Sequence, residues 1–271
     1  MKPISAFLIA ASLLTAAESN AQKQTLSFSD PAAAKRLEVS LVNGSITVKT
    51  HAAKEAIIEG NVAATQRKQP PPGMKRLDTG LPGLGSEQTG NTIKLHAIHK
   101  ANVTIWVPAE TALKLNTING GDIIVEGIAG EIDTNNINGN ITLTDVSGPV
   151  VAHALNGKLT VSLSKLDSGK AMSLSTFNKD VDLTLPADAK ASVKLKSQNG
   201  EIFTDFDVTL KGAPVVEESK KEPPASNKNS SPRTRTRTVR FEKVSYGTIN
   251  GGGQEIQLTT YNGSIYIRKK K

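Results

Sequence analysis

The chain has 271 residues, a formal charge of +8 and no cysteine. The absence of cysteine excludes disulfides, thiolate catalysis, an N-terminal lipid-modified cysteine and cysteine-ligated metal. Aromatic residues make up 4% of the chain, so a platform that stacks bases or sugars has few residues to be built from. The positive charge favours polyanionic neighbours such as acidic glycans or lipopolysaccharide, and we expect no specific nucleic-acid partner.

Residues 1–21 have the pattern of a secretory signal peptide. Lys2 supplies a positive start, an apolar run extends from Ile4 to Ala17, and Ser19-Asn20-Ala21 offers a cleavage site of small residues. We expect cleavage after Ala21, with an uncleaved N-terminal anchor as the alternative. No transmembrane segment is expected in residues 22–271. The protein is therefore predicted to be exported to the periplasm, the cell surface or the medium.

Glycines recur every nine residues in the middle of the chain, at Gly121, Gly130, Gly139, Gly148 and Gly157. Two residues after each glycine stands an aliphatic residue: Ile123, Ile132, Ile141, Val150 and Leu159. Seven residues after the first four glycines stand Ile128, Ile137, Val146 and Leu155. Apolar residues at alternating positions of short runs, with a break at glycine, predict strands that bury one face.

The residue four positions after each glycine alternates in size, as Val125, Thr134, Leu143, Ala152 and Val161. Asn precedes Gly at only every second turn, in Asn138-Gly139 and Asn156-Gly157. Both alternations have a period of 18 residues, which predicts an all-β solenoid whose coils of about 18 residues stack roughly 4.8 Å apart. Leu143 and the five aliphatic residues two positions after each glycine should point inward. The Asn-Gly pairs should form stacked structural turns, because both residues tolerate the left-handed backbone region.

The same pattern extends towards both ends, in "VNGSITV" (42–48) and "YNGSIYI" (261–267). Segments around Pro108 and Pro186 resemble each other and mark equivalent entries into the repeat. Residues 22–271 are therefore predicted to form one domain with insertions at 65–90 and 211–238, whose Pro-rich, charged composition predicts disorder. A meander of antiparallel hairpins is the alternative, since Asn-Gly is also a hairpin signal.

The succession from "VPAETALKLNTINGGDI" to "NGKLTV" (107–161), with "GGGQEIQLTTYNGSIYIRK" near the end, resembles the bacterial putative-adhesin family of β-strand-repeat proteins. That family was formerly a domain of unknown function and is akin to the head domains of auto-transporter adhesins. The resemblance covers residues 37–62 and 92–269 apart from the basic insertion. It implies the solenoid fold and a surface role, and it brings no catalytic residues to carry over.

Parallel β-helices often carry glycan lyases and hydrolases, which need two carboxylates for acid and base roles. Stacking residues 18 apart places Asp122 beside Asn140 and Lys158, so no column of carboxylates forms. His96 and His99 face opposite sides of a strand and cannot share a metal. We therefore expect no catalytic residue, no metal and no cofactor. An ice-binding surface of stacked threonines is a weaker alternative, because the ladder of Thr142 is broken one turn earlier.

The sharpest charged motif is "RTRTRTVR" (233–240). On a strand it places Arg233, Arg235 and Arg237 on one face, with Arg240 out of phase. These four arginines are a candidate polyanion-binding comb, or alternatively a solvated edge that discourages aggregation. The sequence thus predicts a non-enzymatic, exported, adhesin-like scaffold that contacts acidic glycans or lipopolysaccharide. A β-helix polysaccharide lyase or hydrolase, or an envelope accessory protein, remains an alternative.

Overall fold

The structure, a computed structural model, describes residues 22–30, 32–62, 83–166, 169–211 and 244–271. Every regular element in these ranges is a β-strand. The predicted signal peptide and most of the two predicted insertions lie outside the described residues. None of the described elements is a helix that could cross a membrane.

The strands are short, with one exception of 16 residues, and we number them in chain order. Strands β1 to β10 are Gln22–Ser27, Arg36–Asn43, Ile46–Thr50, Glu55–Val62, Gly85–Thr89, Thr92–Val107, Ala112–Asn119, Ile123–Glu126, Ile132–Asn136 and Ile141–Val146. Strands β11 to β20 are Val150–Ala154, Leu159–Leu163, Met172–Thr176, Val181–Leu185, Ala191–Ser197, Ile202–Thr204, Val208–Lys211, Val244–Ile249, Gln254–Thr260 and Ile265–Lys269.

The strands form two mostly parallel ladders, which we name sheets A and B. Sheet A has the spatial order β1, β4, second half of β6, β3, β8, β10, β12, β14, β20, β16. Sheet B has the spatial order β5, first half of β6, β2, β7, β9, β11, β13, β19, β15, β18, β17. Because β6 belongs to both, the two ladders form one connected sheet.

In the middle of the chain, residues 18 apart pair in parallel. Ile141 pairs with Ile123 on one side and with Leu159 on the other, both in sheet A. Ile132 pairs with Val150 in sheet B. All six residues predicted to point inward are 0% exposed, which confirms their predicted orientation. Antiparallel hairpins are wrong for this region, because strands consecutive in the chain, such as β9 and β10, lie in different sheets.

The spatial order departs from the chain order near both ends. We call a sheet B strand and the sheet A strand that follows it a layer. The layer β2–β3 lies between β6 and the layer β7–β8, and β19–β20 lies between β13–β14 and β15–β16. Pro108 lies in the connection from β6 to β7 and Pro186 in the connection from β14 to β15, the two connections that span an inserted layer. Each proline carbonyl accepts a backbone hydrogen bond of 3.0 Å from the residue three positions later, which explains why the two segments resemble each other.

Antiparallel strands extend the ladders at both ends of the stack. Strands β4 and β1 extend sheet A and β5 extends sheet B at one end, while β18 and β17 extend sheet B at the other. Strand β5 falls inside the segment 65–90 that composition predicts to be disordered, so that prediction is wrong for residues 83–90. Pairing with β6 and burial of Leu84 order these residues, although their polar side chains face solvent.

Candidate binding surface

Each complete layer passes from sheet B to sheet A at a corner built on an Asn-Gly pair or its equivalent. A buried polar side chain precedes most of these corners by two residues. Each of these side chains donates a hydrogen bond of 2.8 to 3.1 Å to a backbone carbonyl of the neighbouring layer. The donors are Thr117, Asn136, Thr176, Ser197 and Thr260. These bonds satisfy carbonyl groups that the turn would otherwise leave buried and unpaired.

The glycines of the corners are required by the close approach of adjacent layers. A Cβ atom added to Gly139 would lie 2.0 Å from the carbonyl oxygen of Gly121, and one added to Gly157 would lie 1.8 Å from that of Gly139. Neither Asn138-Gly139 nor Asn156-Gly157 has a positive φ. The left-handed conformation predicted for these turns is therefore wrong, because packing between layers, and not backbone twist, selects the glycine.

The asparagine side chains form a continuous row of hydrogen bonds along the corner, which we call the Asn ladder. The Nδ2 of Asn156 donates to the Oδ1 of Asn138 at 2.8 Å, so the structure brings these two predicted residues together. Four further bonds of 2.6 to 3.4 Å extend the ladder to Asn119 in one direction and through Asn178, Asn262 and Asn199 in the other. The ladder crosses the inserted layer β19–β20 without a break.

A single row of apolar side chains runs beside the Asn ladder on the outer surface of sheet B. We call this row the apolar file; its members directly precede the asparagines and are Val42, Ile118, Ile137, Leu155, Phe177 and Tyr261. Ile118, Phe177 and Tyr261 are 43%, 43% and 44% exposed. The Phe177 and Tyr261 rings stack on each other, with centroids 4.8 Å apart and planes 1° from parallel. The ring edges therefore face outward.

The apolar file lies between two polar rows that hold no aspartate, glutamate, lysine or arginine. The Asn ladder borders it on the corner side. On the other side are the outward residues of the sheet B strands, Ser40, Asn116, Asn135, His153, Ser175 and Thr259. The Nδ1 of His153 lies 2.8 Å from the Oγ of Ser175. The result is a surface three residues wide, with apolar side chains in its centre and polar side chains on both margins.

Charged side chains lie outside this surface. On sheet A, Asp182 is 8% exposed and accepts a bond of 2.8 Å from Arg268 and one of 3.2 Å from Lys158. The hydrogen bond and the charge of Asp182 raise the pKa of Arg268. On sheet B, Arg36 bonds Glu38 and Lys170 bonds Glu131, and these hydrogen bonds lower the pKa of both carboxyl groups.

The candidate polyanion-binding residues Arg233, Arg235, Arg237 and Arg240 lie outside the described residues, and the comb stays a prediction. Within the described ranges, no three histidine or acidic side chains lie close enough together to hold a metal ion. The expected absence of metal, cofactor and catalytic residues likewise stays a prediction.

Sequence reasoning missed the apolar file, although its signal was present. The sequence pattern places Ile137 and Leu155 in one set with Ile128 and Val146, because all four are apolar residues seven positions after a glycine. The structure separates them, since Ile128 and Val146 are buried while Leu155 is 37% exposed. The distinguishing signal is the Asn that directly follows each member of the file. The Asn-Gly signal does not mark Asn178, because Lys179 stands where the other copies have glycine.

No family model matches the chain, and no curated protein sequence does. A crystal structure of a putative cell adhesion protein from Clostridium sporogenes aligns with 92% of this chain and 100% of its own, with a TM-score of 0.45 and 10% identity. Membership of the putative-adhesin family stays a prediction.

Proposed function

We propose that this protein is a non-enzymatic, exported β-solenoid that serves as an adhesin-like binding scaffold in the cell envelope or at the cell surface. Pairing of residues 18 apart in both sheets supports the solenoid, because each layer then repeats the path of the one before it. Such a stack presents equivalent side chains in straight rows and supplies a long, rigid binding face.

The observation that carries the proposal is the apolar file between its two polar rows. Phe177 and Tyr261 are large apolar side chains that remain more than two-fifths exposed. A continuous exposed apolar surface with a polar border is typical of a site that contacts a partner. Among the described residues, the carboxyl groups whose pKa values are shifted are Glu38 and Glu131, and both pKa values are lowered, whereas a general acid needs a raised pKa.

A panel of acidic and neutral polysaccharides, incubated with the purified protein, tests the proposal. We expect retention of intact polysaccharide, measured by co-sedimentation or affinity electrophoresis, with no change in chain length. Shortened or unsaturated products would establish the alternative, a polysaccharide lyase or hydrolase.

The Arg comb is tested separately by replacing Arg233, Arg235, Arg237 and Arg240 with Ser. Exposed charges are screened over about 8 Å at physiological ionic strength, so binding of an acidic glycan or lipopolysaccharide through the comb should weaken with added salt. The variant should lose the salt-sensitive binding and keep the thermal unfolding curve of the parent. Unchanged binding would mean that the comb is idle, and an altered unfolding curve would mean that it is structural.

A further inference from the structure

The apolar file has the dimensions of a thread-like ligand. Val42 and Tyr261 lie five strand spacings apart, about 24 Å at roughly 4.8 Å per spacing. The file is one side chain wide at every layer. A stable protein partner buries about 800 Å² on each side, far more than a single row of side chains offers. The geometry therefore favours a linear polymer that lies along the stack over a globular partner or a second copy of the chain.

The spacing of the layers discriminates between linear polymers. An extended peptide places side chains on one face every 6.8 Å or so, twice its rise per residue, and falls out of step with layers about 4.8 Å apart. In an extended β-linked glycan, each sugar ring advances the chain by nearly one strand spacing. One ring can therefore meet one layer along the whole file.

The chemistry of the surface also matches a sugar ring, which has an apolar C–H face and a rim of hydroxyl groups. The exposed apolar file can contact the C–H groups. An amide has two N–H donors and two carbonyl lone pairs, and Asn156, Asn178 and Asn262 each give one donor and one acceptor to the Asn ladder in the bonds that the structure describes. The second donor and acceptor of each amide are left for hydroxyl groups. The file and both rows beside it carry no acidic or basic side chain apart from His153.

We infer that the apolar file and the Asn ladder bind an uncharged, extended β-linked glycan, with one sugar ring on each layer. This inference rests on the proposed function and names the ligand class of its binding face. It differs from the Arg comb in one measurable respect: a contact without charge is insensitive to salt, whereas contacts with the comb weaken as salt is added.

The test is a calorimetric titration of residues 22–271 with β-1,4-linked oligosaccharides of glucose and of N-acetylglucosamine of increasing length. Affinity should rise with each ring until six layers are covered and then level off, and it should not change with salt. The helical α-1,4-linked glucose series should bind more weakly at every length.

Two matched double variants locate the site. Replacing Phe177 and Tyr261 with Ser removes the stacked pair of the file and should weaken binding of the longest β-linked oligosaccharide about tenfold. Replacing Phe203 and Tyr266 with Ser removes a similar stacked pair on sheet A, with centroids 5.2 Å apart, and should leave binding unchanged. Thermal unfolding of both variants checks that each one is folded.

The outcomes separate the inference from the proposed function. Salt-sensitive binding of acidic polysaccharides alone would overturn the inference and leave the scaffold proposal standing. Binding that survives replacement of Phe177 and Tyr261 in a folded variant would place the site elsewhere and overturn the inference. Self-association that the same variant abolishes would make the file a contact between copies. Failure of every polysaccharide to bind would overturn the inference together with glycan binding by the scaffold.

Discussion

The corner between the sheets imposes opposite requirements on two neighbouring residues, an asparagine and a glycine. The asparagine must reach both neighbouring layers with its amide, while the glycine must bring its backbone against the layer before it. Glycine is not required at every corner, because Lys179 occupies the glycine position of the layer β13–β14. The next glycine in the row, Gly263, again needs the space, since an added Cβ would lie 1.9 Å from the Lys179 carbonyl oxygen.

Gly139→Ala should destabilise the protein by about 1–3 kcal/mol, the range for overpacked sites, because the new Cβ displaces the layer that carries Gly121. Lys179→Ala is the matched control at the equivalent corner position and should change stability by less than about 0.5 kcal/mol. Denaturant unfolding measures both. Equal stability of the two variants would mean that the neighbouring layer shifts to accommodate the new Cβ at Gly139 without a cost in stability.

Leu143 and Thr142 are neighbours on β10 with opposite orientations. Leu143→Ala should cost about 2–5 kcal/mol, because the side chain is 0% exposed and its removal leaves a cavity. Thr142→Ala should cost well under about 1 kcal/mol, as substitutions of outward side chains do. Similar unfolding free energies for the two variants would contradict the assigned register.

At the scale of strands, ion pairs link neighbours across the outer surface of sheet B. Glu38 on β2 accepts a hydrogen bond of 2.8 Å from Arg36 and lies 3.7 Å from Lys94 on β6. The bond from Arg36 is the main cause of the lowered Glu38 pKa, and desolvation opposes it. Because the folded-state pKa lies below the ordinary value of 4.5, this carboxylate stabilises the fold above that pH. The contribution is lost as the pH falls through the lowered pKa.

Glu38→Gln should therefore lower the thermal unfolding midpoint at pH 7, by the small amount typical of surface ion pairs. The difference from the parent should disappear in acid, below the lowered pKa, where the parent carboxyl is protonated too. Glu110→Gln, on an exposed side chain without an ion pair among the described residues, controls for the loss of one negative charge. A difference that persists in acid would show that Glu38 acts through packing.

The strand register was predictable because the glycine period and the size alternation are both local in the sequence. The identity of the inward residues followed from them, as did the pairing of residues 18 apart. The order of the end layers was not predictable, because "VNGSITV" and "YNGSIYI" look alike and nothing local says where each inserts. The candidate binding surface was not predictable, because hydrophobicity alone does not distinguish Ile137 from Ile128, whereas their places in the corner do.

Strand β20, the last of the described strands in chain order, is an interior strand of sheet A. β20 lies between β14 and β16, so Ile265 pairs with Val181 on one side and with Ile202 on the other. The stack is therefore incomplete until residues 254–269 have inserted between layers made from earlier parts of the chain. Such late, non-local pairing is expected to slow folding.

Ile265→Ala should cost about 2–5 kcal/mol, as truncation of a fully buried side chain does. Ile202→Ala, one strand further out and only half-buried, should cost about 1 kcal/mol. Equilibrium unfolding of the two variants measures the difference. A larger effect at Ile202 would contradict the spatial order β14, β20, β16.

The Asn ladder also bears on the chemical ageing of the protein. Asparagine followed by glycine is prone to deamidation, in which the next backbone nitrogen attacks the side-chain carboxamide and ammonia leaves. That attack requires the carboxamide to rotate, and Asn138 and Asn156 cannot rotate without breaking bonds to their neighbours. The resulting succinimide is opened by water to aspartate or isoaspartate. Prolonged incubation should therefore convert Asn-Gly sites to these two products in the denatured chain and spare them in the folded one, as peptide mass spectrometry can measure. Asn178, which precedes Lys179, serves as the slow internal reference. The extent of deamidation at these Asn-Gly pairs would therefore report how long the protein has spent unfolded.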